Sequence, residues 1–188
     1  MLWKITILVF LILPPAAAFS QDTTKVKKEF DYDAYLKNQR EKYIGVQYPA
    51  FYVKTSDGYI FSNADLANKV VFINFWFENC APCSAEIDGF NEMFAKLKDK
   101  SNFLFVSFTF DPDSTIKKLI AKYNIEYKVI HLDRPACYRL NFNNGFPTSF
   151  ILDNKGIIRF FKAGGEIDKI KATEAVLTEI YPQILALL

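Results

Sequence analysis

Val70-Val71-Phe72-Ile73-Asn74-Phe75-Trp76-Phe77-Glu78-Asn79-Cys80-Ala81-Pro82-Cys83 is an apolar run that ends at two cysteines, and Ser84 to Leu97 continues from it as an amphipathic stretch. A β-branched and aromatic run followed by helical periodicity reads as a strand passing into a helix, with both thiols at the junction. Side chains three residues apart on a helix lie about 5–6 Å from each other, a gap that a disulfide closes with little backbone movement. At a helix start, amide N–H groups without partners and the positive end of the dipole favour thiolate over thiol. Cys80 is therefore expected as the nucleophile and Cys83 as the resolving thiol. Pro82 suits the first turn, because its fixed φ matches helical entry and its missing N–H would have had no partner there. The spacing suggests dithiol/disulfide exchange, with a purely structural disulfide as the alternative. A zinc site would need a second pair of ligands, and only Cys137 and His131 are left, badly spaced. Haem attachment would need His directly after Cys83, where Ser84 stands. No metal and no cofactor is expected.

With 188 residues, 51% of them hydrophobic, the chain is long enough for one domain with a real core. A net charge of +2, spread along the sequence, points to neither nucleic acid nor an acidic membrane surface as partner. Residues 1–20 differ in kind: Lys4, the apolar Ile5 to Leu13, Pro14-Pro15, then Ala16-Ala17-Ala18-Phe19-Ser20. They read as a signal peptide, with Ala18 and Ser20 as the small side chains before a cleavage point. An uncleaved membrane anchor is the rival reading, although the apolar stretch is short for a span of ~20 residues. Export to a periplasmic or other extracytoplasmic compartment, where disulfides form, is expected. Residues 21–45, rich in Lys, Asp, Glu and Tyr, read as a linker with a short helix over Tyr32 to Tyr43, and the folded domain is expected over 46–188.

Within that domain the expected strands are Ala50 to Lys54, Tyr59 to Phe61, Val70 to Phe75, Phe103 to Phe108, Lys128 to His131, Ser149 to Asp153 and Ile157 to Lys162. Ser56-Asp57-Gly58 and Asp153-Asn154-Lys155-Gly156 read as hairpin turns. Helices are expected over Cys83 to Lys98, Ser114 to Tyr123, Ala136 to Leu140 and Ile167 to Leu187, the first with Ile87, Phe90, Phe94 and Leu97 on one face. This order gives an α/β class with a mixed central sheet flanked by helices.

Three stretches give the pattern a family likeness: Phe75 to Cys83, Gly145-Phe146-Pro147-Thr148-Ser149-Phe150-Ile151-Leu152-Asp153 with the turn after it, and Ser56-Asp57-Gly58 through Asn68-Lys69-Val70-Val71. Together they resemble the thioredoxin fold, and more narrowly the exported thioredoxin-like proteins of the TlpA/ResA type, which reduce disulfides during cytochrome c maturation and related tasks. The resemblance implies an extra N-terminal β-hairpin and a redox disulfide between Cys80 and Cys83. It also implies a cis-proline loop at Pro147, with Phe146 offering its backbone to a substrate strand. Trp76, in the strand-end motif, is placed with them at the substrate surface. Glu86 stands where the haem-maturation members carry an acidic residue. One turn beyond Cys83 on the same face, it could take the resolving thiol's proton; a solvated helix charge is the bland alternative. Plain thioredoxins carry a buried Asp six residues before the first Cys, but here Asn74 stands there and cannot titrate. Glu86 is the nearest replacement in sequence.

Other positions depart from the pattern. Asn79 replaces the aromatic that often precedes the first Cys, which makes the surface beside the nucleophile more polar. Cys137 reads as a buried structural thiol, and His131 as a core or loop residue. The expected function is an exported thiol-disulfide oxidoreductase that reduces a disulfide-containing protein substrate, fed by an unidentified membrane electron donor. Two alternatives use the same fold. A thiol peroxidase of the peroxiredoxin-like branch typically needs Thr where Phe77 stands, and a copper-binding module needs a wider cysteine spacing with a distal loop His.

Overall fold

The structure is a computed structural model that describes residues 31–188. The expected signal peptide, 1–20, and the start of the linker lie outside the described residues. Strand β3 (Val70–Trp76) is the organising element, because all seven of its residues are buried, as a central strand covered on both faces requires. The sheet runs β5-β4-β3-β6-β7, where β4 is Phe103–Thr109, β5 Lys128–His131, β6 Thr148–Leu152 and β7 Ile158–Ala163. β3, β4 and β5 are parallel, and β6 and β7 run antiparallel to their neighbours, so the sheet is mixed. A separate hairpin of β1 (Tyr52–Lys54) and β2 (Ile60–Ser62) pairs Val53 with Phe61. It is the extra N-terminal hairpin expected from the sequence, and Gly58, at φ 87°, closes its turn where a Cβ would be strained.

Alternate β3 side chains serve opposite faces. Phe72, with Phe105 and Ile151 beside it in register, packs under Ile87, Phe90, Met93 and Leu97 of helix α3 (Ala81–Leu97). Val71, Ile73 and Phe75 pack on the other face with Cys137 and Leu140 of α5 (Arg134–Leu140), and with Phe51 and Phe61 from the hairpin region. Helices α2 (Asn63–Leu66) and α4 (Asp113–Tyr123) link strands.

Three expectations shift. Helix α1 (Tyr32–Tyr43) matches the expected short helix, but the linker ends inside the fold rather than before it. Tyr43 is buried against Phe142 and Phe161, and the Gly45 N–H donates to the Ile158 carbonyl at 2.8 Å. An aromatic side chain with a ring-lined socket is drawn out of solvent whatever the polarity of its neighbours. Strand β1 starts at Tyr52, after Phe51 turns inward and its N–H is taken by the Asn63 side chain. The single helix expected over Ile167 to Leu187 is three pieces: α6 (Lys169–Ala175), a π-helical turn (Val176–Ile180) and α7 (Tyr181–Leu185). No helix among the described residues is long and apolar enough to cross a membrane.

Candidate active site

β3 ends at Trp76, and the next four residues are held so that Cys80 meets the start of α3. Asp111, just past β4, supplies the hold: its Oδ2 accepts from the Glu78 N–H at 2.7 Å and from Thr109 Oγ1 at 3.0 Å. The Asp111 carbonyl in turn meets His131 Nδ1 at 2.8 Å, which gives the lone histidine a structural bond. Cys80 is the N-cap of α3, with extended backbone, and its Sγ accepts from the Cys83 N–H at 3.3 Å. Sulfur therefore sits where the helix concentrates its unsatisfied donors and its positive pole. Cys80 and Cys83 are joined as a disulfide with a Cα–Cα distance of 5.2 Å, and both are buried, at 5% and 2% exposure.

Around the disulfide the packing is apolar and aromatic. Trp76 and Leu119 share one buried cluster with both cysteines, and Phe146 packs against it. Trp76, expected at the substrate surface, is itself buried at 4% exposure, because its place on β3 points it under α3. It forms floor rather than rim. The rim comes from Phe146, half-buried, whose ring meets Phe77 and Phe110 at 5.4 Å each and Tyr138 at 5.5 Å. Arg134 covers the outer side of Phe110, 4.2 Å from the ring centre. The Phe146–Pro147 bond is cis, and Pro147 accepts the Gly164 N–H on its carbonyl at 2.9 Å, which ties the loop to the end of β7.

Glu86 is buried at 3% exposure, so the reading as a solvated helix charge is corrected. A residue three after Cys83 shares that cysteine's inward face. Its Oε2 is enclosed and has no hydrogen-bond partner among the described residues. Desolvation pushes its carboxyl up to about 8, against a lowering by the Lys162 ammonium and with a further rise from Glu179. The room for this carboxylate comes from Gly165: a Cβ there would lie 2.8 Å from Glu86 Oε1 and 3.2 Å from Pro147 Cγ. Beneath α3, Asn74 occupies the position at which plain thioredoxins carry a titrating Asp. Its amide donates to Ser149 Oγ at 3.1 Å and its carbonyl oxygen accepts from Ser107 Oγ at 3.4 Å. A neutral network thus fills that site, and Glu86 is the acid left near Cys83.

Cys137 is fully buried on the opposite face, and burial pushes its thiol up to about 12, which keeps it protonated and inert. Three participants have no local sequence signal: Asp111, Gly165 and Lys162. Each reaches the site through strand register or loop closure, and only the pairing of Ser149 with Lys162 reveals the last.

A thioredoxin-like fold carrying a helix-capping dithiol beside a cis-proline loop defines a thiol-disulfide oxidoreductase. The chain belongs to the AhpC/TSA family, whose sequence pattern matches residues 44–161. Among curated relatives, the thiol-disulfide oxidoreductase ResA of Bacillus anthracis is 27% identical over 151 residues, covering 80% of this chain and 81% of that one. The thioredoxin-like protein YneN of Bacillus subtilis is 29% identical over 136 residues, covering 71% and 79%. Among solved structures, a Chlorobium tepidum protein assigned as a thiol:disulfide interchange protein DsbE superposes with a TM-score of 0.64 at 27% identity, covering 75% of this chain and 97% of its own.

Proposed function

We propose that this oxidoreductase is exported and works as a reductant of disulfides in extracytoplasmic proteins, those of cytochrome c maturation among them. The observation that carries the chemistry is the Cys80–Cys83 pair capping α3 with buried Glu86 one turn behind it. Cys80 thiolate attacks the second of the two sulfurs of a substrate disulfide, the S–S bond breaks, and the first leaves as a thiol after taking a proton from water. The mixed disulfide now joins Cys80 to the second. Cys83 gives its proton to the ionised form of Glu86, a minority at pH 7, and attacks Cys80 Sγ. The bond from Cys80 to the second substrate sulfur breaks, that sulfur leaves as a thiol by taking the proton from Glu86, and the Cys80–Cys83 disulfide forms. Substrate gains two electrons and this chain loses two; an upstream donor, read as membrane-bound, returns them. A carboxyl that titrates near 8 is well matched to an ordinary thiol near 8.5.

Phe146 and Pro147 offer the substrate-facing edge, with Trp76 as the packed floor. Export is supported by the pattern of residues 1–20. The peroxidase alternative gains nothing at Phe77, whose ring is engaged with Phe110 and Phe146. The direct test is Cys83→Ala expressed in cells: mixed disulfides are expected to accumulate on Cys80 and to dissolve with added dithiol. Mass mapping that finds no adduct on Cys80, while the variant is folded, overturns the assignment.

A further inference from the structure

Lys162 and Glu179 form an ion pair that the exchange reaction does not by itself require. Ser107, Asn74, Ser149 and Lys162 are cross-strand partners on β4, β3, β6 and β7, so their side chains form one polar row on the sheet face beneath α3. The first three are neutral and bond to one another. The fourth is a cation with only 15% side-chain exposure, and its Nζ meets Glu179 Oε2 at 2.8 Å. Glu179 belongs to the π-helical turn, the one irregular turn of the C-terminal helix, and is itself 54% exposed. Insertions of this kind concentrate at functional sites.

We propose that the Lys162–Glu179 pair is a positioning pair that sets when Glu86 takes and releases its proton, and hence when Cys83 can resolve a mixed disulfide. This rests on the oxidoreductase reading above. Gly165, three residues beyond Lys162 and just past β7, lies against Glu86, since a Cβ there would sit 2.8 Å from Glu86 Oε1, and this brings the strand that carries the pair beside the acid. The charged groups acting on Glu86 are Lys162 from β7 and Glu179 from the π-turn, with Tyr127 from the segment before β5 coupled to it and Cys83 one turn away on its own helix. Tyr127 is buried, and its hydroxyl is held far above its usual range by burial and then by Glu86, so it stays neutral. Asn74, Ser107 and Ser149 carry no charge. That leaves Lys162 as the single cation acting on the acid, with Glu179 opposing it in two ways: it neutralises Lys162 and it repels Glu86 directly.

The two members of the pair therefore act on Glu86 with opposite sign, so removing each in turn tests the coupling separately from any shared effect on the fold. Lys162→Met removes the cation, so Glu86 should keep its proton to higher pH. Glu179→Gln frees the cation, so Glu86 should lose its proton at lower pH. Each shift is expected at about half a pH unit or more, less than the roughly 1–3 units of a charge in direct contact, because the half-exposed Glu179 is screened by solvent. The readouts are the pH profile of disulfide reduction and, independent of activity, the titration of the carboxyl carbon NMR resonance that Glu86→Gln removes. Lys162→Arg should restore the wild-type curve. Unmoved Glu86 titration in both variants, or shifts in the same direction, overturns the proposal. If the wild type reduces no disulfide while the NMR shifts appear as stated, the oxidoreductase reading fails and the coupling stands.

Discussion

Glu86 is the residue at which burial and chemistry conflict most. Its carboxyl titrates near 8 in the folded chain, whereas in the unfolded chain it titrates near 4.5. Between those values the folded state binds the extra proton, so raising the pH stabilises the unfolded state more than the folded one. The stability held below pH 4.5 is lost progressively up to about pH 8, by an amount on the order of a few kcal/mol at 1.36 kcal/mol per unit. Glu86→Gln removes the titration but keeps a buried polar group, so its thermal unfolding midpoint should vary much less over that window. Wild type should match or exceed the variant at acid pH and fall below it at alkaline pH. Parallel curves measured from pH 4 to 9 would mean that Glu86 is solvated. The position of Glu86 one turn after Cys83 could be read from spacing alone, since helical periodicity is local. Its enclosure could not, because the backbone that closes on it is that of Gly165, roughly eighty positions away in sequence.

Elements whose signal is local were legible, and those set by packing between elements were not. The strands read from β-branched and aromatic runs fall within about two residues of their observed ends, the usual latitude for boundaries. The π-turn has no local signal, because Ile167 to Leu187 carries an ordinary helical pattern in sequence, and the segment's packing against α3 is a contact between elements. That contact is close: a Cβ on Gly89 would lie 3.0 Å from Thr173 Cα and 3.0 Å from Val176 Cβ. Gly89→Ala sets two magnitudes against each other. Helix propensity favours Ala by about 1 kcal/mol, while overfilling a packed interface costs about 1–3 kcal/mol. Here one obstructing atom is backbone, which cannot swing aside, so the packing cost should win. Net destabilisation of about 1 kcal/mol is expected from chemical denaturation, and a stabilised variant would show that α6 sits further from α3 than described.

At the scale of the whole molecule, the question is which way electrons run, and it turns on what stabilises the reduced dithiol. A thioredoxin-like protein becomes a strong oxidant when its nucleophilic thiolate is heavily stabilised, since that favours accepting electrons. Cys80 has the N-terminus of α3, with the Cys83 N–H on its sulfur. It lacks the second contribution: the residue before Cys83 is Pro82, where strong oxidants of this fold commonly carry His. The lone histidine bonds the Asp111 carbonyl, and the nearby Lys118 is paired with Glu78 at 3.9 Å. An exposed pair of that length supplies little net field. Glu86, near 8, is mostly neutral at pH 7, and its ionised form would oppose a thiolate rather than stabilise it. With only the helix terminus acting, the reduction potential is expected nearer that of thioredoxin, about −270 mV, than that of the oxidant DsbA, about −120 mV. Equilibration with glutathione buffers at pH 7, read by mass after quenching, gives the value. A potential above about −180 mV, the range of the isomerases, would overturn the reductant assignment while leaving the dithiol chemistry intact. Pro82→His then serves as the internal control, because an imidazolium beside Cys80 should raise the potential if thiolate stabilisation sets it.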